Sequence, residues 1–200
     1  MKNWVFNPFN YIAGSKALLL GIAIITLSAL LGYFSNNHFD GVIDIHIGAK
    51  APFLVFLVEG LINLFCISLF LLIFSAIFST SKFRIIDVVG TQAFARLPLI
   101  IVPIIGIFLP QGNIAEYIQY TFLKIGNPIS ISNFEIAGFI IYTIISLVSL
   151  AMMITWMYNA YRVSSNIKGA KIIISFIVSV LLAEILSKYL LSVIYYFLNQ

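Results

Sequence analysis

Charged residues are scarce in this chain of 200 residues, and their scarcity decides the class of protein. Asp, Glu, Lys and Arg together make up 9% of the sequence, whereas an average soluble domain has about 25%. Hydrophobic residues reach 62%, so a soluble protein of this size would have too few charged side chains to cover its apolar surface. We therefore predict an all-α integral membrane protein that forms one domain over residues 1–200.

Cysteine is almost absent, and so are the common catalytic motifs. A single cysteine, Cys66, excludes an intramolecular disulfide, and no Cys/His spacing indicates structural zinc. The chain has no His-Glu-x-x-His motif, no Gly-x-Ser-x-Gly motif and no phosphate-binding glycine loop. It also lacks a basic patch with interleaved aromatic residues, which would be typical of nucleic-acid binding. We predict no enzyme activity, no cofactor and no nucleic-acid partner.

Long apolar runs dominate the rest of the sequence. A helix needs about 20 apolar residues to cross roughly 30 Å of hydrocarbon. The segment Ala93–Leu109 is short for this and contains Pro98 and Pro103, so it is either a kinked span or a re-entrant segment sheltered by other helices. Four other segments qualify readily as spans: Ala17–Phe34, Ala51–Phe78, Ile136–Tyr158 and Ala170–Leu198.

Lysine and arginine in the connections indicate the orientation, because they accumulate on the cytoplasmic side of a membrane. The first and third connections carry only Lys50 and Lys124. This bias predicts a cytoplasmic amino terminus, an outward carboxyl terminus and a full crossing by residues 93–109, which makes five spans. The other eight lie before the first span and in the second and fourth connections: Lys2, Lys16, Lys82, Arg84, Arg96, Arg162, Lys168 and Lys171.

The third connection has a helical pattern of its own. Apolar residues recur at helical spacing over Asn113–Lys124, with polar residues on the opposite face, which predicts a short amphipathic helix on the outer membrane surface. Ser132 and Glu135 then have the spacing of a capping box at the start of the fourth span.

The first connection contains the one cluster of metal-ligand residue types. Residues 42–47 alternate between apolar and polar side chains, which indicates a short extended segment, half of a hairpin. Such residues are able to bind zinc or a similar ion. Their spacing matches no defined metal site, however, and a solvated loop is favoured, so we predict no metal. The four weak candidates are His38, Asp40, Asp44 and His46.

Three ionisable residues fall inside predicted spans, where they are costly and need partners. Glu184 and Lys188 share one helix face and are spaced to pair directly. Glu59, with Asn63 one turn away, lies at a depth where it is able to meet them. These four residues form either a set of structural pairs or a polar cavity that handles an ion, a proton or a lipid head group.

A basic stretch precedes the third span. Lys82, Arg84 and Arg96 form a basic cytoplasmic loop around its start. Contact with anionic lipids explains such a loop, and docking of a cytoplasmic partner is the alternative.

Three motifs together resemble the bacterial branch of the Yip family of five-span membrane proteins, which are related to Rab-GTPase-interacting proteins of eukaryotes. They are Asn7-Pro8-Phe9, the stretch from Phe83-Arg84-Ile85-Ile86-Asp87 to Leu97-Pro98, and Trp156 followed by Arg162-Val163-Ser164 and Lys168-Gly169-Ala170-Lys171. The Asp-Leu-Tyr-Gly-Pro segment of eukaryotic members is absent.

The resemblance implies a non-enzymatic, partner-binding or membrane-organising protein of the bacterial cytoplasmic (inner) membrane. Its expected partners are membrane lipids and cytoplasmic or membrane proteins, and a homo-oligomer is left open. The alternative function is a small transporter or lipid-moving protein built on the polar cluster Glu59, Glu184 and Lys188.

Overall fold

The part of the chain that the structure describes contains five helical units that are long and apolar enough to cross a membrane. The computed structural model describes residues 6–109 and 114–198. Four of the units are continuous helices: α1 (Gly14–Ser35), α2 (Phe53–Phe78), α6 (Asn133–Ser164) and α7 (Lys171–Leu198). The predicted helical class and the number of apolar helices are thereby confirmed.

The third unit is broken in its middle. It consists of α3 (Ile85–Phe94), a 3-10 turn (Leu97–Ile100) and α4 (Ile101–Phe108). Pro98 lies in the turn, where the missing N–H and the fixed φ of proline interrupt a regular helix. The predicted kink is present, but the unit begins eight residues earlier than Ala93.

The early start of the third unit has a physical reason. In its most apolar stretch 72% of the residues are buried inside the protein, against 22–39% in the other four units. Neighbouring protein groups rather than lipid tails surround it, so polar residues are tolerated where they find partners. Thr91 donates a hydrogen bond to the carbonyl of Asp87 at 2.6 Å, and Gln92 donates to the carbonyl of Met157 at 2.9 Å.

This early start corrects the position of Arg96. The residue lies inside the third unit and is 5% exposed, so it does not belong to the basic loop predicted from the sequence. The connection between α2 and α3 retains Lys82 and Arg84, both exposed. Seven basic residues against two still favour the predicted orientation.

Small residues let α1 and α3 pack closely. A Cβ atom at Gly21 would lie 2.3 Å from the Cβ of Ala93, and one at Gly90 would lie 2.6 Å from the carbonyl oxygen of Gly14. The two helix backbones therefore approach more closely than larger side chains would allow. On α7, a row of small residues at four-residue spacing is also buried: Ser175, Ser179, Ala183 and Ser187.

The connections contain short elements. The helix α5 (Ile114–Ile118) continues as one π turn, Gln119–Leu123, within the range predicted to be helical; Asn113 lies outside the described residues. The predicted capping box is confirmed, because the Ser132 hydroxyl accepts from the Glu135 N–H while the Glu135 carboxylate accepts from the Ser132 N–H. Strands β1 (Asn37–His38) and β2 (His46–Ile47) form a minimal antiparallel hairpin.

Candidate functional site around loop 1

The connection between α1 and α2, residues 36–52, is called loop 1 here, and it enters the helix bundle. Asn37, His38, Phe39 and Val42 are all buried, with at most 8% of their surface exposed. The sequence prediction of a solvated loop is therefore wrong for this part. Irregular backbone at membrane depth requires internal partners for its N–H and C=O groups, and the polar residues of the helices supply them.

The carboxylate of Glu59 binds residues 38 and 39 of loop 1, which are called the tip of the loop here. It accepts hydrogen bonds from the Phe39 N–H at 2.8 Å and from the Tyr195 hydroxyl at 2.5 Å, and His38 Nδ1 lies 2.6 Å from it. Glu59 is fully buried. One helical turn away, the Asn63 side chain donates to the carbonyl of Phe39. Glu59 and Asn63 thus bind both polar groups of the Phe39 backbone.

His38 is placed to carry a proton on each ring nitrogen. Its Nε2 faces the carbonyl oxygen of Ala49 at 2.8 Å, and its Nδ1 faces the Glu59 carboxylate. Burial lowers the pKa of His38, but the hydrogen bonds to Glu59 and to the Ala49 carbonyl outweigh it, so the pKa lies above 6.5. When His38 is protonated, it forms a buried ion pair with the Glu59 carboxylate, and such a pair is stable only with complete hydrogen bonding.

The second pair, Glu184 and Lys188 of α7, binds loop 1 at Ile43 and Asp44. The carboxylate of Glu184 accepts from the Ile43 N–H at 2.9 Å. The Lys188 ammonium contacts Asp44 and lies 3.7 Å from Glu184, which confirms that Glu184 and Lys188 pair. A Cβ at Gly41 would lie 2.3 Å from the Glu184 carboxylate, so a larger residue there would displace the carboxylate from its present position.

The predicted polar cluster therefore consists of two separate pairs. Within residues 6–109 and 114–198, no hydrogen bond or ion pair joins Glu59 to Glu184 or Lys188. Both pairs bind loop 1 instead. Their common task in the structure is to hold irregular backbone inside the bundle.

Three of the four candidate metal ligands do come together. The ligand atoms of Asp40, Asp44 and His46 lie within 4.8 Å of one another, and His46 Nδ1 lies 3.4 Å from Asp40. His38 uses both of its ring nitrogens elsewhere. Because Asp44 already contacts the Lys188 ammonium, an ion-pair network accounts for the group without a metal.

These ion pairs give loop 1 a pH dependence. The Asp40 carboxylate, 3.4 Å from His46 Nδ1, raises the pKa of His46 above 6.5, and the imidazole in turn lowers the pKa of Asp40 below 3.8. A raised histidine pKa stabilises the folded state fully below pH 6.5, and this stabilisation is lost as pH rises through the folded-state value. The Asp40 contribution is present above pH 3.8 and is lost on acidification. His38 acts in the same direction as His46.

We expect the protein to melt at a higher temperature at pH 6 than at pH 8.5, because the stabilisation by the two protonated histidines is lost as pH rises through their raised pKa values. The measurement is thermal unfolding of the purified protein in detergent at a series of pH values. The chain has two histidines, so the double variant His38→Gln/His46→Gln is a complete control. It should show no alkaline loss, and an unchanged pH profile in that variant would contradict the assignment.

Two half-open clefts flank the hairpin. The first, the α6 cleft, has a volume of about 510 Å³ and lies between loop 1, α5 and α6. The second, the α2 cleft, has about 590 Å³ and lies between loop 1, the start of α2 and the end of α7. His46 lines both clefts.

Sequence reasoning missed two tyrosines of this site. The Tyr195 hydroxyl binds Glu59, and the Tyr142 hydroxyl donates to the Asn37 side chain. Tyr195 had the pattern of an interfacial aromatic residue. Tyr142 could have been predicted to bind a polar group, since a phenol in the middle of an apolar span requires a hydrogen-bond partner.

Comparisons with known proteins add no family to this description. No protein-family model, no curated protein and no solved structure matches the chain. The resemblance to the Yip family stays a prediction.

Proposed function

We propose that this multi-pass membrane protein is a non-enzymatic, Yip-like membrane organiser that binds a membrane lipid in the α6 cleft. The observation that carries the proposal is the cleft itself, a mostly apolar space that ends at charged groups. Volumes of about 300–1,000 Å³ are typical of small-molecule sites, and the α6 cleft has about 510 Å³.

The walls of the α6 cleft suit an acyl chain. Loop 1 contributes Ile43, Ile45 and Ile47, while α6 contributes Phe139 and Leu150. Ile114 and Ile118 of α5 close the third side. Burial of apolar surface against these side chains favours a hydrocarbon occupant.

The charged end of the α6 cleft suits an ammonium head group. Asp44 and His46 lie on this wall, with Asp40 beside them. Three carboxylates, those of Asp40, Asp44 and Glu184, outnumber the two cationic side chains Lys188 and His46 even when His46 is protonated. A lipid ammonium group restores neutrality, so we favour phosphatidylethanolamine over an anionic lipid.

The orientation of the protein completes the proposal. We place the amino terminus in the cytoplasm of a bacterium and loop 1 at the outer face of the cytoplasmic membrane, as the lysine and arginine bias favours. The segment from Ile114 to Leu123 then lies along the outer surface as the amphipathic helix. The exposed Lys82 and Arg84 face the cytoplasm and contact anionic lipids or a protein partner.

A matched pair of substitutions on α6 tests the cleft. Thr143 lines it, whereas the neighbouring Ile144 is 56% exposed and does not. We expect Thr143→Trp to fill the cleft and weaken phosphatidylethanolamine binding about tenfold, a loss of about 1.4 kcal/mol, and Ile144→Trp to have no effect. Native mass spectrometry of the purified protein titrated with phosphatidylethanolamine or phosphatidylglycerol measures the binding.

The outcomes separate the hypotheses. Equal binding by both variants contradicts the α6 cleft as the lipid site, and stronger phosphatidylglycerol binding contradicts the choice of head group. The alternative function, a small transporter or lipid-moving protein, is favoured by one observation: His38 connects the α2 cleft to the buried Glu59. Transfer of labelled lipid between leaflets of reconstituted vesicles, lost in Glu59→Gln, would favour that alternative.

A further inference from the structure

Arg96 is a buried cation with two guanidinium nitrogens that lack a hydrogen-bond acceptor among the described residues. Its side chain lies inside the bundle at the break between α3 and α4, and the residue is 5% exposed. Within the residues that the structure describes, its Nε and Nη2 atoms make no hydrogen bond, and no carboxylate lies within ion-pair distance. A guanidinium keeps its charge in proteins, and burying it unpaired is costly.

A small cavity adjoins this side chain. It has a volume of about 20 Å³ and is lined by Arg96 and Ser28 together with apolar groups that include Phe39, Phe56 and Gly60. The Ser28 hydroxyl is also buried without a partner among the described residues. Two hydrogen-bond donors that lack acceptors therefore share one cavity whose other walls are apolar.

The size and charge of the cavity indicate the ligand. One water molecule needs roughly 10–15 Å³, so a space of about 20 Å³ fits a single small particle better than it fits phosphate, sulfate or a carboxylate. Water would accept a hydrogen bond but would leave the charge of Arg96 uncompensated. Glu184 attracts Arg96 at longer range, but its carboxylate is already bound by the Ile43 N–H and Lys188.

We propose that Arg96 and Ser28 bind one chloride ion in this cavity. The ion accepts a charge-assisted hydrogen bond from the guanidinium and a second hydrogen bond from the serine hydroxyl. It compensates the buried charge at the point where the third unit breaks. Because Phe39 forms one wall, the bound chloride also supports the tip of loop 1, independently of any lipid in the α6 cleft.

The direct test is a crystal structure of the protein grown in bromide, which replaces chloride and scatters anomalously. An anomalous peak between Arg96 and Ser28 is expected. In parallel, thermal unfolding is followed while chloride replaces gluconate at constant ionic strength, and the melting temperature should rise and then saturate. No bromide peak at the cavity, or a melting temperature indifferent to chloride, would mean that the cavity holds water only and would overturn the proposal.

Two serine variants provide the matched comparison. Ser28→Ala removes one of the two donors and should weaken the apparent chloride affinity about tenfold. Ser75→Ala is the control, because Ser75 is equally a helix serine, is buried and donates to the carbonyl of Leu71. Equal chloride affinities for the two variants would contradict the site. Arg96→Met should abolish the effect of chloride on the melting temperature. If this variant does not fold, the bromide structure and the comparison of Ser28→Ala with Ser75→Ala still test the chloride site.

Discussion

Replacing Glu59 by alanine is expected to lower the free energy of unfolding by about 3–5 kcal/mol, the range for breaking a buried ion pair. The change removes the acceptor of the Phe39 N–H and the Tyr195 hydroxyl and leaves His38 without its partner. Because Glu59 is fully buried, its truncation leaves these groups without an acceptor at the centre of the site. Denaturant unfolding of the purified protein in mixed micelles measures the loss.

Two further variants make this result specific. Glu59→Gln keeps the shape and one acceptor oxygen, so it should fall between wild type and Glu59→Ala. Glu116→Gln is the control, because Glu116 is exposed and surface substitutions usually stay within about 0.5 kcal/mol. If Glu59→Ala unfolded at the same denaturant concentration as Glu116→Gln, the role of Glu59 in holding loop 1 would be refuted.

Replacing Gly21 by valine is expected to destabilise the packing of α1 on α3, at the upper end of the range of about 1–3 kcal/mol for overpacked sites. Any Cβ at this position meets the Ala93 Cβ at 2.3 Å and the Ala93 carbonyl carbon at 2.6 Å. The second contact is with backbone, so a side-chain rotation offers no relief and the helices must separate. Thermal unfolding in detergent measures the effect.

The controls for Gly21 lie on the same two helices. Ala23→Val adds bulk to an exposed position of α1 and should leave the melting temperature unchanged. Adding Ala93→Gly to Gly21→Val removes the Cβ contact but not the backbone contact, so it should restore stability only in part. Full recovery in the double variant would show that the helix backbones are not in close contact there.

The helices could be predicted because each of them satisfies its backbone hydrogen bonds within its own segment. A run of apolar residues such as Phe53–Phe78 can therefore be identified as a helix from its own sequence, without knowledge of its neighbours. The same holds for the capping box of Ser132 and Glu135 and for the pairing of Glu184 with Lys188, in which the partners are three or four residues apart.

The third unit shows where a local signal fails. Hydropathy locates segments that face lipid, but α3 faces protein over most of its surface. Its polar residue Gln92 donates to a carbonyl of α6, and Thr91 donates to a carbonyl of its own helix, so the helix begins well before the sequence becomes strongly apolar. For the same reason, local hydropathy predicts a loop at Arg96.

Composition and the spacing of apolar residues determined by themselves that this is a helical membrane protein with five units able to span the bilayer, and that Glu59, Glu184 and Lys188 need partners. Only the tertiary structure decided what those partners are. Glu59 binds groups that precede it by about twenty residues and one that follows it by 136, and such distant contacts leave no periodic pattern in a sequence. The burial of loop 1 depends on the same kind of contact, because side chains of α2 and α7 bind the Phe39 and Ile43 backbone groups that the hairpin leaves unpaired.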